Sequence, residues 1–162
     1  MSLLTLGIDP SLSSTGLVFL LDGKPMSHRR LKTNPKEEKE QRIWRICYSI
    51  SSGLYKYQPD FIIMEDYSFA SHRSNAATSL HELGGAIKQV LFQSKIPWHT
   101  AAPTSLKAFI AHGRASKDEV IAAVQKEWPK CPKQNDIADA YVAAKYAYEK
   151  YEELVTPVLN IV

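Results

Sequence analysis

The chain has 162 residues, of which 44% are hydrophobic and 23% charged, and its formal net charge is +3. These proportions suit one globular domain and exclude a disordered or collagen-like chain. The small net charge does not by itself demand a nucleic-acid partner.

Residues 3–9 read as a buried strand that ends at Pro10 and leads into a serine-rich turn. Residues 15–21 are β-branched and apolar, and Asp22-Gly23 after them is a hairpin signal. A third strand is predicted over 26–32, polar enough to be an edge. Asn34-Pro35 breaks the chain. A helix follows with Ile43, Ile46, Cys47, Ile50, Leu54 and Tyr57 on one face. Gln58-Pro59-Asp60 closes it, and residues 61–65 form a short apolar strand that finishes on Glu65. Residues 66–75 are polar and aromatic and predict a loop. Leu80, Leu83, Ile87 and Leu91 mark a second helix, whose stripe faces either a second subunit or its own sheet. Gly84-Gly85 within it suggests close packing.

A strand over 98–102 precedes a short helix over 104–111. Ser116 and Glu119 fit a capping box that opens a helix to about residue 128. A final helix is predicted over 135–152, and the apolar tail 157–162 has no assignment. Strands alternating with helices late in the chain imply parallel neighbours. The expected fold is therefore α/β, a mixed five-stranded sheet with helices on both faces in a single domain, 1–162. No apolar run approaches the roughly 18–20 residues of a membrane helix. The opening MSLLTLGIDP lacks the features of a signal peptide, and Cys47 and Cys131 have neither disulfide-framework nor zinc-ligand spacing. A cytoplasmic protein with no membrane partner is expected.

Charge location says more than charge total. Residues 103–133 hold six basic residues (Lys107, Arg114, Lys117, Lys126, Lys130, Lys133) against three acidic ones, so this segment carries the whole net charge. Asp9 ends the first strand and Glu65 the fourth. If those strands are parallel neighbours, both carboxylates emerge at one sheet edge, where α/β proteins place their sites. Asp136 and Asp139 share a face in the first turn of the last helix. Taken singly, each has an ordinary reading: a turn residue before proline, or a capping pair. Together, four carboxylates repel one another unless cations balance them, and an oxygen-only donor set suits Mg²⁺ or Mn²⁺.

The residues also carry a family resemblance. LGIDPSLSSTG (6–16) resembles the first-strand motif of the RuvC-like Holliday junction resolvases, in the RNase H-like superfamily. IIMEDYSF (63–69), PTSLKAFIAHGRASKDEV (103–120) and NDIADAYVAA (135–144) resemble that family's later motifs, in family order. The resemblance implies an RNase H-like fold and a dimeric, Mg²⁺-dependent endonuclease that nicks opposed strands of four-way DNA junctions. It implies that Asp9, Glu65, Asp136 and Asp139 hold two metal ions, Mn²⁺ being able to substitute. Asp9 would bridge the ions, and Lys107 and Lys117 would contact the scissile phosphate. Tyr67 or Phe69 would stack on junction bases; from local charge, apart from the resemblance, Arg114 is expected to contact phosphates and Arg73 and His72 to add further contacts. Lys126, Lys130 and Lys133 are either phosphate contacts or a solvated helix end. Ser11 stands where bacterial members have glycine, and the loop after Glu65 carries an extra residue. Such divergence resembles a phage-type member, for which the compartment would be the host cytoplasm.

Other readings compete. One is a broader structure-specific nuclease acting on forks, flaps and replication branches; another is an RNA–DNA hybrid nuclease. A third is a non-catalytic module that binds branched DNA. The strand-Asp start is also similar to phosphate loops of actin-like ATPases and sugar kinases, but those need two such domains. Walker-type, HExxH and GxSxG patterns are absent.

Overall fold

The computed structural model describes residues 1–66 and 75–159. The expectations for Tyr67, Phe69, His72 and Arg73 lie outside the described residues. Strands β1 (Leu4–Asp9), β2 (Ser14–Leu21) and β3 (Lys24–Lys32) form an antiparallel meander. Asp22 and Gly23 turn the β2–β3 hairpin with φ of 51° and 74°, the paired positive angles that a two-residue hairpin requires. Helix α1 (Lys39–Tyr57) then carries the chain to β4 (Phe61–Glu65), and α2 (Asn75–Ser94) carries it to β5 (Trp98–Ala101). β4 lies parallel to β1, and β5 parallel to β4, giving the sheet order β3-β2-β1-β4-β5. The mixed five-stranded α/β sheet, with β3 at its edge, is the expected one.

Four helices follow among the described residues: α3 (Pro103–Ile110), α4 (Lys117–Glu127), α5 (Asn135–Glu149) and α6 (Tyr151–Leu159). The capping box forms as expected. The Ser116 side chain accepts from the Glu119 N–H, the Glu119 carboxylate accepts from the Ser116 N–H, and these bonds hold the Glu119 carboxyl down at about 2. Among the described residues, no helix is long and apolar enough to cross a membrane.

Strand alternation divides the core in two. One face of the sheet presents Leu6, Ile8, Leu17, Phe19, Ile62 and Met64 to α1 and α2. The other presents Val18, Leu20, Phe61 and Ile63 to α5 and its neighbours. On this second face the helix comes unusually near. A Cβ at Gly7 would stand 1.9 Å from the Ala140 carbonyl oxygen, and one at Gly16 would stand 2.0 Å from that of Asp136. Only glycine lets the α5 backbone lie directly on β1 and β2. Beside Gly7, the Thr5 hydroxyl donates to the Ala144 carbonyl at 2.9 Å, which fixes the helix along β1.

Of the two placements expected for the α2 stripe, the structure shows the second: Leu83, Ile87 and Leu91 are fully buried against their own sheet. Two expectations need correction. Gly85 faces open space and is not required by packing. The last helix does not run unbroken to residue 152: α5 stops at Glu149 and α6 turns away. Tyr151, Leu154 and Val155 thereby pack onto the α5-side core, and His99 on β5 hydrogen-bonds the Leu154 carbonyl at 3.1 Å. The break falls at Lys150, whose φ of −102° and ψ of 9° depart from the helix, and the turn there goes with burial of these apolar side chains.

Candidate active site

Residues 5, 7 and 9 of β1 face α5, as do residues 61, 63 and 65 of β4. In the parallel β1–β4 register Ile8 pairs with Met64, so Asp9 and Glu65 follow side by side at the end of adjacent central strands. The residues before Glu65, Phe61 to Met64, are fully buried, which fixes that strand end rigidly. Asp139 in the first turns of α5 is set beside them by the close glycine contacts of that helix. Asp9, Glu65 and Asp139 line one cleft of about 300 Å³ together with Lys107 from α3 and Lys117 from the start of α4. The capping box is what fixes Lys117 at this rim.

The carboxylates feel one another. Burial, then the neighbouring Glu65, Asp139 and Asp136, push the Asp9 carboxyl well above the usual range, and Lys117 opposes this. Glu65 rises to about 7, chiefly by burial and then by Asp139, with Lys107 opposing. Asp139 rises to about 6 by burial; Lys107 and Lys117 pull it down, Asp136 adds to the rise, and a hydrogen bond from Asn135 lowers it. Closely spaced carboxylates on rigid elements gain most from a cation that accepts only oxygen ligands. The donor set therefore fits a hard divalent metal, although no three acidic, histidine or cysteine side chains among the described residues stand in a finished coordination shell.

The fourth predicted acid is placed differently. Asp136 is buried in the first turn of α5 but is not among the residues lining the cleft. Its Oδ2 accepts from Arg30 Nε at 2.5 Å and from the Ser14 hydroxyl, and its Oδ1 accepts from the Ile137 N–H at 3.0 Å. Arg30 and Ser14 were missed at the level of sequence. The available signal was the basic run His28-Arg29-Arg30 on a strand expected to be an edge.

The turn after β1 forms without glycine. The Ser11 N–H donates to the Thr15 hydroxyl at 3.2 Å, and that hydroxyl donates to the Ser11 carbonyl at 2.7 Å, so Ser11 needs no positive φ. At Pro10 and Leu80 the cleft meets a second groove of about 530 Å³, lined in part by Ser11, Ser13 and Arg42. Arg114 is exposed in the α3–α4 turn, and Lys126, Lys130 and Lys133 are exposed beyond or near the end of α4; none of these four lines the cleft.

Known proteins resemble this chain in sequence and in fold. The family model for crossover junction endodeoxyribonuclease RuvC matches residues 5–145. The RuvC of Thermus thermophilus is 30% identical over 154 residues, covering 85% of this chain and 89% of that protein. The RuvC of Corynebacterium diphtheriae is 29% identical over 147 residues, covering 86% and 90%. In fold, the chain is similar to Thermus thermophilus RuvC solved in complex with a Holliday junction substrate, with a TM-score of 0.80 and 23% identity over 94% of this chain and 97% of that one. With the family model matched over residues 5–145 and a relative 30% identical, the chain belongs to the RuvC family of crossover junction endodeoxyribonucleases.

Proposed function

We propose that residues 1–162 act as a single nuclease domain that resolves four-way DNA junctions by paired, metal-dependent hydrolysis of phosphodiester bonds, leaving 5′-phosphates. The observation that carries this reading is the cleft in which Asp9 and Glu65, on adjacent parallel strands, meet Asp139 beneath Lys107 and Lys117. Family membership and the junction-bound relative of the same fold support the same substrate.

Asp9, Glu65 and Asp139, joined by Asp136, would hold two Mg²⁺ or Mn²⁺ ions, which supply an activated water and charge stabilisation at the leaving oxygen. The protein's own contribution is position and charge. The ends of β1 and β4 hold two carboxylates at fixed separation, and α5 brings the others against them. Lys107 and Lys117 direct positive charge into the same cleft, where a scissile phosphate is neutralised as it develops negative charge. The groove past Pro10, with Ser11, Ser13 and Arg42, continues the track for a phosphate backbone.

Cutting two opposed strands requires two such clefts, hence a two-fold dimer. Trp44 and Tyr48 stack on each other on α1 while 63% and 61% exposed, and Tyr55 and Phe92 are exposed as well. This aromatic band, rather than the buried α2 stripe, supplies the surface for a second copy. The deciding experiment incubates the protein with mobile four-way junctions, forks, flaps and RNA–DNA hybrid, with and without Mg²⁺, and maps the nicks. Symmetrical Mg²⁺-dependent nicks in the four-way junction are expected. Equal cutting of all branches would favour the broader nuclease, and binding without nicking would leave a binding module.

A further inference from the structure

The cleft acids and Asp136 differ in what surrounds them. Asp9, Glu65 and Asp139 share a cleft with two lysines, whereas Asp136 already has its own cation. The β2–β3 register explains how. Arg30 pairs with Gly16, and Ser14 lies two residues earlier on the same face of β2. Because Gly16 has no side chain, the first turn of α5 rests on the strand at that point, with the Asp136 carbonyl where a Cβ would be. Arg30, the cross-strand neighbour, therefore stands beside that turn and reaches the Asp136 carboxylate. The Arg30 side chain is 32% exposed and that of Asp136 only 7%, so the guanidinium closes over a buried anion.

A buried carboxylate needs a counter-charge, and it can take that charge from a guanidinium or from a metal ion. Here Oδ2 already accepts two donors, from Arg30 and Ser14, and Oδ1 accepts the Ile137 N–H. A divalent ion that takes Oδ2 must displace the Arg30 contact, and one held by Oδ1 alone would lie close to the guanidinium and be repelled by its charge.

Building on the metal site proposed above, we propose that Arg30 is a positioning residue that competes with divalent metal for Asp136. While the Arg30–Asp136 pair is closed, the cleft offers three carboxylates to one ion. The fourth carboxylate joins, and a second ion binds well, only when the guanidinium is released. The chain thus holds a built-in monovalent substitute for its second ion. Ser14 assists by holding the same oxygen.

The test is Mn²⁺ binding to the full-length protein without DNA, followed by calorimetry and by the electron paramagnetic resonance signal of free and bound ion. Wild type is expected to bind one ion tightly and a second weakly. Arg30→Ala should tighten the second ion about tenfold, within the usual range of coupling between sites, and leave the first unchanged. Arg30→Lys should restore most of the weak binding, because it keeps the charge. In Arg30→Ala combined with Asp136→Asn, the gain should vanish. Should Arg30→Ala fail to fold, Ser14→Ala, which loosens the same carboxylate, should tighten the second ion by a smaller factor. Two ions of equal affinity in wild type, or unchanged second-ion affinity in the Arg30 and Ser14 variants, would overturn the proposal. Loss of ion binding in Asp9→Asn with the behaviour above supports both readings; no specific binding to wild type at all would overturn the metal site and the proposal with it.

Discussion

The two faces of the sheet are built on opposite rules. Towards α1 and α2, large side chains interdigitate: Leu6, Ile8, Ile62 and Met64 meet Ile46, Ile50, Leu83 and Ile87. Towards α5, Gly7 and Gly16 interrupt the large side chains Val18, Leu20, Phe61 and Ile63, and at these two glycines the helix backbone lies where side chains would otherwise stand. The first arrangement insulates by filling space. The second places charged groups at a fixed depth, since every shift of α5 against β1 and β2 would move Asp136 and Asp139 relative to Asp9. A face that positions chemistry tolerates less displacement than one that only excludes water.

The sharpest way to break this contrast is Gly16→Val. With backbone atoms 2.0 Å from its Cβ, the variant should lose more than about 4 kcal/mol or fail to fold, as read by urea denaturation. On the opposite face, Leu83→Ala should still fold and cost about 2–5 kcal/mol, the ordinary price of a core cavity. Equal tolerance at the two positions would erase the distinction.

Asp9→Asn should leave the fold and junction binding intact while cleavage falls by about 10²–10³-fold or more, the scale for loss of a group that stabilises transition-state charge. Retained cleavage in a nicking assay would remove Asp9 from the site. Acidity sharpens the contrast further. Glu65 and Asp139 are raised in the folded chain from 4.5 to about 7 and from 3.8 to about 6. Between those values the folded state holds more protons than the unfolded one, so the contribution of these two groups to stability is full below their unfolded values and is lost as pH rises through the window. Metal-free Tm should therefore fall from about pH 4 to about pH 7. Added Mg²⁺ should raise Tm near neutrality and do little in acid; a flat profile would contradict the burial and crowding of these carboxyls. The smallest effect is expected from Lys107→Ala, which should lower the slope of log affinity for junction DNA against log salt by about one.

Much of this is legible in the sequence. Hydrophobic alternation and the Asp22-Gly23 turn defined the meander, and apolar residues 61–64 marked a central strand ending in Glu65. Ser116 and Glu119 announced the helix that carries Lys117. These signals are local, and local backbone preferences are written in neighbouring residues. The α5–α6 break was not legible, because helical spacing continues through Lys150 and only the distant core around β5 requires the turn. The inward facing of the α2 stripe was ambiguous for the same reason: periodicity defines a face but not what covers it. Arg30 was the deepest omission. Its partner lies 106 residues away, and their meeting depends on strand register and on a bare glycine beneath a helix end. Residue order names the acids and lysines and the elements that bear them. That three acids share a cleft while the fourth is held by an arginine follows from packing, because long-range charge pairing is settled by distance in the fold and not by spacing along the chain.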